Sequence, residues 1–274
     1  MKPIATFLLF TLLASCANSK ETNYTASTPA SPLVRAFLGI SLTDSIDFIR
    51  WKLSLTDLKY SLECNYGIGK PNTNGFYDGG KKIIVSGITK RDNNYYILQN
   101  GNQVLKLAEL NANLLHILNN DNTLMIGNGG WGYALNNMAP SATNKFNMMA
   151  KQIVLKDSVA FEGRTPCGVP HIIEPGKECY KLKWYLVLYS NKKNEPATYR
   201  ILGTPYRRDD GGKRGNWLVK NGKDGRIIYQ LNDENEKPFI YLLQLDQGVL
   251  IFTDANGNLL VGDHDFSYTL NRRF

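Results

Sequence analysis
Apolar and polar residues alternate with a period of two along much of the chain. In Ile49-Arg50-Trp51-Lys52-Leu53-Ser54-Leu55 every second side chain is apolar, and Tyr60, Leu62 and Cys64 then alternate with Ser61, Glu63 and Asn65. Successive side chains of a strand point to opposite faces, so the pattern sets one face on a core and the other in water. Further strands are expected at 83–88, 95–98, 104–110, 114–118, 123–126 and 131–135, and in the second half from 182–189 through 239–245 to 266–270. No long amphipathic helix is predicted. Short strands joined by Asn-Gly and Asp-Gly turns suit an antiparallel meander, and closing the meander into a barrel removes its exposed edges. The expected class is all-β.

The polar and apolar pattern is written twice. LMIGNGGWGYALN, from Leu124 to Asn136, returns as LLVGDHDFSYTLN from Leu259 to Asn271. Asp78 to Lys82 returns as Asp210 to Arg214, Asp44 to Phe48 resembles Asp157 to Phe161, and Lys59 to Leu62 resembles Lys183 to Leu186. The spacing between matched segments grows along the chain, as in a tandem duplication with one copy carrying longer loops. Two small meander barrels are expected in tandem, at residues 32–150 and 151–274.

The first residues follow another pattern. One charge, Lys2, precedes an apolar run from Ile4 to Leu13, too short to cross a hydrocarbon core but of signal-peptide length. Leu13-Ala14-Ser15-Cys16 resembles the lipobox of bacterial lipoproteins. Residues 1–15 are accordingly expected to be a signal peptide, with Cys16 lipidated and residues 16–31, rich in Ser, Thr and Ala, a flexible tether. The expected location is the cell envelope, lipid-anchored in the outer membrane and facing periplasm or surface.

The formal net charge is +8, carried by 32 Lys and Arg against 24 Asp and Glu, and scattered rather than blocked. That distribution reads as a solvated surface, and an exported chain is a poor candidate for nucleic acid. Three histidines, no Gly-x-Ser-x-Gly and no phosphate loop offer no nucleophile-and-base pair, so binding is expected rather than catalysis.

The second copy resembles the globular domain of the NlpE family, envelope lipoproteins associated with copper resistance and surface sensing. The resemblance lies in FEGRTPC at 161–167, LVLY at 186–189, LIFTD at 250–254 and DFSYTL at 265–270. It implies a small lipocalin-like barrel and a role in sensing copper, redox state or envelope stress through an envelope protein partner. The family's Cys-x-x-Cys is broken here: Pro170 stands three positions after Cys167, and the next cysteine is Cys179. Two readings of that loop remain. Cys167 and Cys179 form a disulfide in an oxidising compartment, or they join His171 as soft ligands for copper or zinc.

Other candidates carry less. Cys64 is expected to be a buried core cysteine, and His116 and His264 surface or edge residues. Asp254-Ala255-Asn256-Gly257-Asn258 begins like a calcium loop but has Leu259 where that loop needs glycine, so it reads as a hairpin turn. Met138, Met148 and Met149 fall at the junction of the copies and read as packing residues. The alternative functions are a lipocalin-like carrier of an apolar ligand inside a barrel lumen and a structural or adhesive surface lipoprotein.

Overall fold
The computed structural model describes residues 20–142, 146–147, 157–174, 176–204, 206–207, 209–222 and 225–274. Two closed eight-stranded antiparallel barrels follow one another. The first comprises β1 (Thr22–Thr28), β2 (Phe48–Leu55), β3 (Lys59–Gly67), β4 (Lys81–Asp92), β5 (Tyr95–Asn100), β6 (Gln103–Asn111), β7 (Leu114–Ile117) and β8 (Ala134–Asn137), with one helix, α1 (Pro32–Leu38), between β1 and β2. The second comprises β9 (Ser158–Thr165), β10 (Leu182–Ser190), β11 (Pro196–Gly203), β12 (Lys213–Asn221), β13 (Ile227–Asn232), β14 (Pro238–Gln244), β15 (Val249–Thr253) and β16 (Thr269–Arg272). Each meander closes where its last strand pairs with its first, β8 on β1 and β16 on β9.

Thr22–Thr28, expected from the sequence to lie in a flexible tether at 16–31, is instead the first strand of barrel one. Thr22–Thr28 pairs along its whole length with β2, from Thr22↔Leu55 to Thr28↔Ile49. Its alternation is hidden because small residues, Ala26 and Ser27 among them, fill positions that are buried in the barrel wall. Cys16 and the segment 1–15 expected as a signal peptide lie outside the described residues, as do Met148 and Met149. Segment 123–126, expected as a strand, contributes only the single bridge Leu118↔Leu124.

The equivalent strands also pair up differently from the sequence matches. Thr28 and Thr165 end β1 and β9, each followed by proline, and each hydroxyl accepts a hydrogen bond from an indole, Trp51 Nε1 at 2.8 Å and Trp184 Nε1 at 2.9 Å. Asp157 to Phe161 thus corresponds to the start of β1, not to Asp44 to Phe48, and Lys183 to Leu186 corresponds to β2, not β3. The offset between copies rises and falls along the chain, because loops were lengthened in both copies.

Each barrel is filled. Trp51, Leu53, Leu62, Leu98, Leu105 and Leu107 form the first core, and Trp184, Leu186, Leu188, Tyr229, Leu242 and Phe252 belong to the second. The lumen of each is closed at one end by the segment that leaves its first strand. In barrel one this is α1, whose Val34, Phe37 and Leu38 are buried. Ser31 caps it by accepting from Val34 N, Pro32 occupies the first turn, and Gly39 ends it in the left-handed region at φ 71°. In barrel two the plug is residues 166–181, which bury Val169 and Ile172 and are stapled by a disulfide between Cys167 and Cys179, with Cα atoms 6.0 Å apart. The cysteine loop thus stands in barrel two where α1 stands in barrel one.

Candidate functional site
Three places bring polar or reactive groups together: the seam between the barrels, the cysteine plug, and the open end of barrel one.

The repeated segment at 124–137 and 259–272 builds the seam. Outward residues Ala108, Leu110, Leu114, Leu118 and Leu124 of barrel one share one apolar cluster with Leu243, Leu245, Val249, Ile251 and Leu259 of barrel two. Pairs such as Leu110 and Leu245 occupy the same place in each copy, so the seam is pseudo-twofold. Its polar contacts obey the same symmetry: Gly127 N donates to Asn271 Oδ1 at 2.7 Å, and Gly262 N donates to Asn136 Oδ1 at 2.8 Å. Both glycines are required by close approach, since a Cβ at Gly127 would meet the Trp131 carbonyl and one at Gly262 the Phe266 carbonyl. Trp131 stacks on Phe48 of barrel one at 4.6 Å, with Arg164 of barrel two 5.4 Å from the Trp131 ring.

His116 lies on the outward side of β7 in this seam and is completely buried, contrary to the surface or edge position expected for it. Its Nδ1 pairs with the Ile117 carbonyl at 2.9 Å, while Nε2 has no partner. Burial pushes its pKa down to about 4, so the ring is neutral. His264 is exposed, as expected, within an Asp263, His264, Asp265 cluster. Asp265 is already held by Arg50 at 2.6 Å and by Asn74 Nδ2, and Asp263 Oδ1 accepts from the amides of Asp265 and Phe266. Asp265 thus ties barrel two to barrel one across the seam, while Asp263 shapes its own loop.

At the plug of barrel two, the disulfide decides between the two readings of the loop. With both sulfurs bonded to each other, Cys167 and Cys179 present no thiolate, and the three-ligand copper or zinc site with His171 is not assembled. His171 faces a separate cleft of about 110 Å³ lined with Pro238, Phe239 and Asp254, which neither cysteine touches. Cys64, expected in the core, is buried and free, and burial raises its thiol pKa far above the ordinary range. It occupies the register position opposite Trp51, where barrel two has Gly203 opposite Trp184. Asp254 spends its carboxylate on the amides of Asn256 and Asn258, the turn expected there.

The open end of barrel one is where β1 begins and β2, β4, β6 and β8 end. A cleft of about 830 Å³ there is lined with Asn23, Tyr24, Leu53, Leu55, Tyr96 and Asn137, with Lys20 and Glu21 on its rim. Arg91 reaches over it from β4. Its guanidinium donates to Glu109 Oε2 at 2.6 Å, to the Tyr96 hydroxyl at 2.8 Å and to Asp57 Oδ1 at 3.1 Å. Burial raises the Glu109 pKa, opposed by the Arg91 charge; burial, with the Glu109 charge adding to it, pushes Tyr96 up to about 12. A positive fork, a half-desolvated carboxylate and two phenols thus converge over an apolar floor. The sequence pattern missed this group because Arg91 and Glu109 sit at strand ends, where alternation carries no information about what meets across the barrel. Compared with known proteins, the chain matches no family model, no curated protein and no solved structure.

Proposed function
We propose that the chain is an envelope lipoprotein, anchored through Cys16, that binds a small polar ligand at the open end of barrel one, with a sensing role of the kind the NlpE resemblance implies. The supporting observation is where the tether ends. Thr22 starts β1 on the rim of the cleft lined by Tyr24, Tyr96 and Glu109. Only residues 17–21 would separate a lipid on Cys16 from the barrel, a reach of roughly 17 Å at full extension. The cleft would be held close to the membrane surface. Polar lining favours hydrogen-bonding ligands over apolar ones, and the packed interiors leave the lipocalin-like carrier little lumen to use.

Intact-mass analysis of protein extracted from its own membranes tests the anchor: a mature chain beginning at Cys16 with a diacylglyceryl adduct is expected, and an unmodified Cys16 refutes it. Thermal-shift screening against sugars, amino acids and short peptides tests the cleft. A stabilising compound must lose its effect on Arg91→Ala protein; an unchanged shift removes the cleft from the reading.

A second reading, redox reporting by barrel two, is favoured by the disulfide's position. Its reduction would release the plug that carries Val169 and Ile172. Copper or zinc would become a ligand question for Cys167, His171 and Cys179 only in that reduced state.

A further inference from the structure
The outward face of β3, β4, β5 and β6 of barrel one does not match the rest of the surface. β4 points Lys82, Ile84, Ser86, Ile88, Lys90 and, at its very end, Asp92 outward, and Ile84 and Ile88 are 72% and 61% exposed. Leu58, 70% exposed, lies in the β2–β3 turn, where its carbonyl accepts from Thr89 N beside Ile88. The register carries the stripe sideways: Lys59 stands opposite Ile88, Lys90 opposite Ile97, and Ile97 opposite Lys106. Val104 adds a further exposed apolar residue on β6. Lys59, Lys82 and Lys90 form no ion pair among the described residues, and Glu63, in register with Ile84, also faces Lys52.

Scattered exposed apolar residues are ordinary, but an aliphatic stripe interleaved with unpaired lysines on one sheet face is not. Gly87 and Gly215 pack alike against Tyr60 and Tyr199, so the corresponding strand of barrel two places Asn216 where Ile88 stands, and barrel folding does not require an isoleucine there. The seam shows what this fold uses to bind protein: outward Ala108, Leu110 and Leu114, apolar and without lysine. A lysine-laced face fits another occupant. Aliphatic side chains can enter the acyl boundary while flexible lysine stems keep their ammonium groups among anionic headgroups.

We propose that this face, centred on Ile84, Ile88, Lys59 and Lys90, is a docking surface for an anionic lipid bilayer. The inference needs no lipid on Cys16 and stands or falls apart from the anchor. It is tested with protein spanning residues 20–274, which keeps every strand of both barrels, by sedimentation with vesicles. Binding is expected to vesicles of equal parts phosphatidylglycerol and phosphatidylcholine, weakened by salt, with little binding to phosphatidylcholine alone. Ile84→Asn with Ile88→Asn, and separately Lys59→Glu with Lys90→Glu, should each weaken binding about tenfold. All four side chains point outward, so unfolding temperatures near wild type confirm that the variants fold. Failure of the wild type to bind anionic vesicles, or variants that bind as tightly as wild type, overturns the proposal.

Discussion
The two barrels close the same end of their lumens by different means. In barrel one a helix of about two turns does it, with Phe37 in the core beneath Tyr60 and the Asn100 amide holding the Phe37 carbonyl at 2.7 Å. Arg35 adds hydrogen bonds to the carbonyls of Ala30, Ser41 and Asp44. In barrel two an irregular loop does it, with two smaller buried residues and one covalent cross-link. A helix satisfies its own backbone and can spend its side chains on burial. An irregular loop cannot, and a cross-link that restricts the unfolded chain makes up the difference. The same architectural need was met by packing in one copy and by chemistry in the other.

That contrast can be broken at either plug. Phe37→Ala should destabilise barrel one by about 4 kcal/mol, through lost burial and the cavity left behind, and should be indifferent to reductant. Denaturant unfolding monitored with and without dithiothreitol measures both. Replacing Cys167 and Cys179 by serine should cost about 3 kcal/mol, a cost that reductant reproduces in the parent protein; equal stability of oxidised and reduced parent would mean that Val169 and Ile172 suffice.

The seam allows a finer comparison, because His116 stands where the other copy has Ile251. The buried ring has its pKa depressed to about 4 from an ordinary 6.5, so the folded protein binds fewer protons than the unfolded chain. Its contribution is complete above about pH 6.5 and is lost as pH falls toward about 4. Between pH 7 and 5 this group should cost about 2 kcal/mol, and His116→Ile should remove that part of the acid sensitivity. Thermal unfolding of both proteins at the two pH values checks it; identical pH dependence would place the proton elsewhere.

Much of this was legible from residues alone, and the misses have physical causes. Alternation located most strands of barrel one, such as β2 and β3, and β10 and β14 of barrel two, but it did not single out β9 or β11 to β13. It failed at β1, where Thr, Ala and Ser are small enough to be buried on both faces, so polarity ceased to mark direction. The helix α1 had its signals in place, Ser31-Pro32 at the start and Gly39 at the end, but seven residues give too little periodicity to register. The shared Thr-Pro at 28–29 and 165–166 was the marker that would have aligned the copies correctly. The duplication was real, and only its internal matches shifted.

Sequence alone determined what is local or repetitive: the all-β class and the two copies. Tertiary structure alone decided what depends on strands distant in the chain. It buried His116, because β7 presents its outer side to the second barrel rather than to water. It also joined Arg91, Tyr96 and Glu109 at one open end and turned a repeated loop into a pseudo-twofold seam, since closure brings together residues whose separation in sequence says nothing of their distance in space.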